Sequence, residues 1–293
     1  MRINIAGAFS KNTEIRLYIA RNKQLIRKFN LTVYDGINNC PWNGGRVNRD
    51  IIHDDETIDF YYRNNISIAL TFTNPIVNVN DRIGNELLKK FHNHGNIIIS
   101  VSEELRDYIK DTYPYYKHTR SITAFGKINV PMSDAELQMY KDYEHHYDYI
   151  VPRCEHVFDE RFTGLNQSKY EIMLNDTCIY NCPYYDEHFR KIAEQNRRYK
   201  KPWEEAPPGE MYNIEECWLS DRSDYKNSDM FDMETGDKKA ISRHGDNYGM
   251  DLKVEQIKRL VSQGISNFKI SGREMSFEDF NSELNRYLID IYN

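Results

Sequence analysis

Cysteine spacing is the first chemical signal in this chain. The run Asn175-Asp176-Thr177-Cys178-Ile179-Tyr180-Asn181-Cys182-Pro183-Tyr184-Tyr185-Asp186-Glu187-His188 packs Cys-x3-Cys-Pro and a histidine into one short segment. Thiolates three to four residues apart on a loop can converge on one soft metal centre, and a helix starting at Pro183 would lower their pKa through its N-terminus. No second closely spaced pair follows, so the zinc-finger pattern is not met. The other cysteines, Cys40, Cys154 and Cys217, are scattered, and an odd total of 5 without an export signal argues against a disulfide framework. Four thiolates suit a structural zinc ion or a four-iron four-sulfur cluster equally, and an inert buried thiol is the alternative for any of them.

Three further groups carry charge to the ends of strand-like runs. In Tyr34-Asp35-Gly36-Ile37-Asn38-Asn39-Cys40-Pro41-Trp42-Asn43-Gly44-Gly45-Arg46, the amides of Gly44 and Gly45 could approach an anion that Arg46 clamps; an ordinary turn is the competing reading. Lys269-Ile270-Ser271-Gly272-Arg273-Glu274 would place Lys269 inward and Arg273 at a rim, against the alternative of a structural Arg273-to-Glu pair. Arg153 and Glu155 flank Cys154 and are candidates to touch substrate. His145-His146 and His92-Asn93-His94 lack His-Glu-x-x-His spacing and read as solvated surface. Gly-x-Ser-x-Gly, Walker and Rossmann glycine patterns are absent, which takes support from serine-hydrolase and nucleotide-binding readings.

Eight β-branched or aromatic runs could position these residues: Ile3 to Ala6, Leu31 to Tyr34, Ile66 to Thr73, Asn96 to Ser100, Arg120 to Thr123, Tyr149 to Pro152, Tyr170 to Asn175 and Asn267 to Ser271. Helical spacing runs from Asn12 to Lys28, and Ser102 and Ser133 head helices, the latter with the Ser-x-x-Glu box. Leu252 to Val261 and a segment from near Ser276 read as the last two helices. Strands separated by crossovers predict an α/β fold, a TIM-like (β/α) barrel, with an open doubly wound sheet as runner-up. One domain spans residues 1–293, and about 176–252 form a long insertion before the last strand. Within it, Pro183 to Tyr199 reads as helical and Lys201 to Gly249 as irregular. In a barrel the strand ends share one face, so all five cysteines could reach one mouth.

Hydrophobic residues make up 40% of the chain, enough for a core, and the net charge of -6 disfavours holding nucleic acid by bulk electrostatics. No segment approaches the roughly 20 apolar residues of a membrane span and no signal peptide opens the chain, so the expected address is cytoplasmic.

Two segments resemble the collagenase-like peptidase family, whose catalytic type is unassigned: Tyr170-Glu171-Ile172-Met173-Leu174-Asn175 leading to Cys178, Cys182, Pro183 and His188, and Gly264-Ile265 through Lys269-Ile270-Ser271-Gly272-Arg273-Glu274. Val33-Tyr34-Asp35-Gly36 with Cys40 looks like an early strand-end cysteine of the family's anaerobic ubiquinone-hydroxylation branch. The resemblance implies a TIM-like barrel and, in several branches, oxygen-independent hydroxylation of a small molecule or RNA with four cysteines holding a four-iron four-sulfur cluster. Carried over, Cys178, Cys182 and Cys217 are the ligands, Cys40 is preferred as the fourth and Cys154 is the reserve. A protein partner of the same family is a further implication. The leading expectation is therefore an iron-sulfur enzyme with Lys269, Arg273 and Arg46 meeting an anionic substrate. A peptide hydrolase with Glu171, Glu155 or His188 as general base, or with a zinc-bound water, is the second expectation. The third is a non-catalytic, zinc-stabilised barrel that binds RNA or protein.

Overall fold

The structure, a computed structural model, describes residues 1–37, 40–44, 53–179, 185–199, 248–273 and 275–292. Eight parallel strands run in the order β6 (Tyr149–Ile150), β5 (Lys117–Arg120), β4 (Ile97–Ser100), β3 (Ser67–Phe72), β2 (Asn30–Asp35), β1 (Arg2–Ala6), β10 (Asn267–Ile270) and β7 (Glu171–Met173). A single parallel bridge between Ile150 and Tyr170 joins the two ends of this order. The result is a near-closed TIM-like barrel, and the doubly wound alternative is set aside.

Helices α1 (Asn12–Arg21), α2 (Lys23–Ile26), α3 (Asp55–Arg63), α4 (Arg82–Lys90), α5 (Glu103–Thr112), α6 (Asp134–His146), α8 (Val254–Ser262) and α9 (Phe277–Tyr292) lie in the connections around the barrel strands. Ser102 accepts from the Leu105 N–H, and Ser133 and Glu136 form the reciprocal capping box. Asp54 and Asp81 cap α3 and α4 in the same way, by accepting from the amides of Thr57 and Gly84. The helix expected over Asn12 to Lys28 breaks at Asn22, whose backbone leaves helical angles and whose side-chain amide joins its own N–H in donating to the Tyr18 carbonyl.

Two expectations shift. The fifth strand is Lys117–Arg120 and not Arg120 to Thr123, of which Ile122–Ala124 form a 3-10 turn. Its polar sequence hides it, because His118 and Thr119 are buried in spite of their polarity. The insertion is also more ordered at its base than expected. β8 (Asn175–Ile179) leaves the end of β7 after Leu174 and pairs antiparallel with β9 (Tyr248–Asp251), so Tyr248 and Gly249 belong to a strand. α7 (Tyr185–Arg198) matches the helix expected there. Residues 200–247 lie outside the described residues.

Alternation along the strands divides the apolar residues into two sets. Ile3, Ile5, Leu31, Val33, Ile68, Leu70, Ile98, Ile172, Phe268 and Ile270 pack with the helices in one large core. Ala6, Tyr34, Ala69, Ile97 and Ile99, with Tyr149 against them, form a separate cluster inside the barrel. Polar groups complete that interior. At the N-terminal end, Arg2 of β1 is ion-paired to Glu171 of β7, and its guanidinium stacks 3.4 Å from the Tyr149 ring centroid. Asn4 donates to the other Glu171 oxygen at 3.0 Å. Among the described residues, no helix is long and apolar enough to cross a membrane.

Two measurements follow. Glu171→Gln leaves Arg2 buried without its counter-charge and is expected to cost about 3 kcal/mol in urea unfolding, by the usual penalty for breaking a buried pair; a cost under about 1 kcal/mol would remove the pair from its structural role. His118, on β5, has both ring nitrogens without a hydrogen-bond partner among the described residues. Burial, followed by Lys110, lowers its pKa from 6.5 to about 4. The folded state therefore holds the neutral ring. Its stability contribution is complete above pH 6.5 and is lost as pH falls toward 4. Urea midpoints of His118→Phe should lose less between those two pH values than the unaltered chain does.

Candidate active site at the C-terminal mouth

In a parallel barrel the C-terminal strand ends open on one face, and here several connections bring ionisable groups to it. Asp35 ends β2. One of its oxygens accepts from the Phe9 amide at 3.1 Å, the Ser10 amide at 2.9 Å and the Ser10 hydroxyl at 2.8 Å. The other accepts from the Gly36 amide and from Arg273 Nη1, both at 3.0 Å. Asp35 thus ties the loop after β1 and the segment after β10 to the end of β2. Arg273 is ion-paired, with Asp35 as partner.

Two cations approach the Tyr34 ring. Lys269 Nζ lies 4.1 Å from its ring centroid and the Arg273 guanidinium carbon 5.7 Å away, while the Tyr34 hydroxyl donates to the Ile270 carbonyl. Lys269 is buried, as its inward position on β10 predicts. Beside it, Asn175 and Ser271 exchange bonds: the Asn175 amide donates to the Ser271 carbonyl at 3.1 Å and accepts from the Ser271 N–H at 2.7 Å. This pair continues the β7–β10 contact past Met173 and fixes where the β8–β9 ribbon leaves the mouth.

The opposite wall follows β6. Arg153 holds Glu155 through two nitrogens at 2.8 and 3.2 Å, both side chains being buried. The Cys154 thiol between them donates to Asp176 of β8 at 3.2 Å. Burial, then the charges of Asp176 and Glu155, raise the Cys154 pKa well above the ordinary thiol value. The proton stays on sulfur, so Cys154 is no ready nucleophile.

Helix α7 runs from this wall to the segment that follows β3. Tyr185 in its first turn stacks on Arg153 at 3.6 Å, and near its other end the Ala193 carbonyl accepts from Asn74, which follows β3, at 3.0 Å. Its buried residues, Tyr185, His188, Ile192, Ala193, Gln195 and Asn196, are spaced as one amphipathic stripe toward the barrel. His188 therefore sits on the covered side of α7, stacked on Phe189 at 5.1 Å.

The sequence-derived candidates divide accordingly. Lys269, Arg273, Arg153, Glu155 and His188 are carried by elements that meet at the mouth. Glu171 is not: it opens β7 at the opposite end of the barrel, where Arg2 and Asn4 occupy both of its oxygens. A base there is remote from the mouth, and its place as a catalytic candidate is corrected to a structural one. Arg46, Cys182 and Cys217 lie outside the described residues, and Cys178 is placed only as part of β8.

Cys40 is fully buried in the core with Trp42, and burial pushes its thiol up to about 12. The groups acting on it are Trp42, Asn43 and Asp81, whereas those acting on Cys154 are Asp176, Glu155 and Arg153. These environments share no residue. Cys40 is thus a poor fit to the fourth-ligand place, and among the described residues no group of three His, Cys, Asp or Glu side chains could hold a metal ion.

Asp35, Tyr34, Asp176 and Tyr185 are mouth residues that the sequence did not single out as functional. Asp35 was detectable, as an acid immediately at the end of a predicted strand.

No protein-family model matches the chain, and no curated protein matches it. Among solved structures, the U32 peptidase Mk0906 is similar in fold, with a TM-score of 0.51 and 8% sequence identity over 93% of each chain. At that identity the likeness is one of architecture, and it spans the barrel and its connections alike.

The protonated state of Cys40 and Cys154 is open to test. In the native protein at pH 8, Cys40 and Cys154 should alkylate at least about a hundredfold more slowly than a free thiol, and both should label once the chain is unfolded. Peptide mass mapping reads this, and native labelling of Cys154 at the free-thiol rate would break the Cys154–Asp176 assignment.

Proposed function

We propose that the chain is a hydrolase acting on peptides, with its site at the C-terminal mouth. The carrying observation is that α7 brings buried His188 over a mouth whose far wall holds Lys269 and Arg273 around Tyr34. The shared architecture with a U32 peptidase supports the choice of substrate class.

Each group has a distinct part in this reading. His188 takes a proton from the attacking water as the scissile amide gains its tetrahedral oxygen, and returns it to the leaving amine. Lys269 and Arg273 supply positive charge on the side where anionic groups of the substrate or transition state lie. Glu155 has both carboxylate oxygens engaged by Arg153. It serves with Arg153 to shape the wall that the peptide meets.

Incubation with a broad set of quenched fluorescent peptides tests the reading. Cleavage by the unaltered protein is expected, and His188→Ala should lower kcat by about a hundredfold to ten-thousandfold with unchanged far-ultraviolet dichroism. No cleavage of any peptide would overturn the function, and full activity in His188→Ala would overturn the base.

One observation keeps an iron-sulfur reading as the second. Cys178 lies in β8, two residues beyond the Asp176 that bonds Cys154, so Cys154 is nearer in the fold to the Cys178 segment than its reserve place in the sequence implied. A four-iron four-sulfur cluster, or zinc, would then draw on Cys154, Cys178, Cys182 and Cys217 and supply redox or Lewis-acid chemistry to a small-molecule or RNA substrate. Anaerobic purification followed by iron, sulfide and zinc determination decides it: about four irons per chain that are lost in Cys154→Ala support this set. Iron retained in that variant would exclude Cys154.

A further inference from the structure

The rim between β5 and α6 holds a carboxylate in a way that the hydrolase reading does not explain. Phe125 has right-handed helical angles and Gly126 has φ +58°, the pairing that turns successive backbone N–H groups toward one concave point. Asp186, in the first turn of α7, fills that concavity: its Oδ2 accepts from the Lys127 amide at 3.0 Å. A Cβ added to Gly126 would come within 2.6 Å of Asp186 Oδ1, so the carboxylate rests directly on the glycine backbone.

Behind the turn stands Arg153. Its Nη1 donates to the Gly126 carbonyl at 2.8 Å, while Glu155 holds the same guanidinium through two bonds. The peptide unit joining Gly126 to Lys127 is therefore bonded at both ends, its oxygen to a fixed cation and its N–H to a carboxylate. Each bond polarises the unit in the sense that strengthens the other. Tyr185, the neighbour of Asp186 in sequence, lies flat on that guanidinium. The two first residues of α7 thus engage one preformed donor site from two sides.

We propose that the turn Phe125–Lys127, backed by Arg153, is a carboxylate-binding subsite at the rim of the mouth, and that Asp186 occupies it in place of a carboxylate of the peptide substrate. The inference rests on the peptide-hydrolase reading for the identity of the ligand. Asp186 is exposed to solvent, and a solvent-exposed charge contact is weak, so an external carboxylate at millimolar concentration can compete for the site. Its arrival frees the first turn of α7 from the rim and so couples substrate binding to uncovering of the mouth.

The test compares acetyl-diglycine, which ends in a free carboxylate, with its C-terminal amide, titrated by NMR against the full chain. Asp186→Ala empties the subsite and should bind the acid at least about threefold more tightly than the unaltered protein, with no gain for the amide. Adding Gly126→Ala, which places a side chain at positive φ and in the ligand's position, should abolish that gain. Equal acid affinity in the unaltered and Asp186→Ala proteins, an equal gain for the amide, or a gain that survives Gly126→Ala would each overturn the proposal. Peptide cleavage measured on the same samples separates the two claims: an acid-selective gain without cleavage retires the hydrolase and keeps the subsite, and cleavage without the gain retires the subsite alone.

Discussion

The barrel depends on one buried ion pair at the seam where its strand order closes. Among the described residues, β6 and β7 meet through the Ile150–Tyr170 bridge alone, so hydrogen bonding between strands does little there. Arg2 compensates from across the barrel. It reaches past β10 to the Glu171 carboxylate of β7, donates to Asn267 of β10 and covers the Tyr149 ring of β6. One guanidinium thereby touches three strands besides its own. Two charges taken out of water are costly unless their remaining hydrogen-bond capacity is met, and Asn4 meets part of it on the Glu171 side.

With that clamp at the N-terminal end, the opposite end is left to loops whose polar groups hold one another. Asp35 is an example: five donors converge on its two oxygens, all from loops and all at the C-terminal mouth. The resulting arrangement holds Arg273 against Tyr34 without any long element to support it. On the other wall, Arg153 does comparable work, meeting Glu155, the Gly126 carbonyl and the Tyr185 ring at once. Both are strand-end residues whose side chains organise the loops around them, which is how a shared scaffold hosts a local site.

Periodicity made most of the barrel legible. β1 to β4 and β10 are apolar on their helix-facing side, and each expected run overlaps the strand found. Legibility failed where polarity was buried. Lys117-His118-Thr119-Arg120 reads as a loop, yet it pairs as a strand with β4 and β6, and Arg120 is held by the Val101 carbonyl and the hydroxyls of Tyr143 and Tyr147. The ribbon of β8 and β9 was invisible for another reason: its pairing joins residues as far apart in sequence as Asn175 and Asp251, and no local pattern records such a contact. Helices α3 and α4 were missed although Asp54 and Asp81 were there to be read as caps.

The site was legible in residue type but not in address. Lys269, Arg273, Arg153, Glu155 and His188 do come to one face, because strand ends in a parallel barrel have no other place to go. Glu171 has the same credentials in sequence, an acid in an apolar strand beside a cysteine-bearing loop. Its position at the first residue of β7 instead of beyond the last sends it to the far end of the barrel, about 10 Å of strand away for three residues at the usual rise. Cys40 and Cys154 are parted by the same logic. Each follows a strand by a few residues, but the loop bearing Cys40 turns outward, its Trp42 packing against Phe72 at 5.2 Å, and takes the thiol into the helix-facing core. The turn bearing Cys154 stays over the strand ends, where β8 rises beside it and Asp176 meets the sulfur. Which way a loop leaves its strand decides whether a cysteine becomes core or site, and that direction is set by contacts remote in the chain.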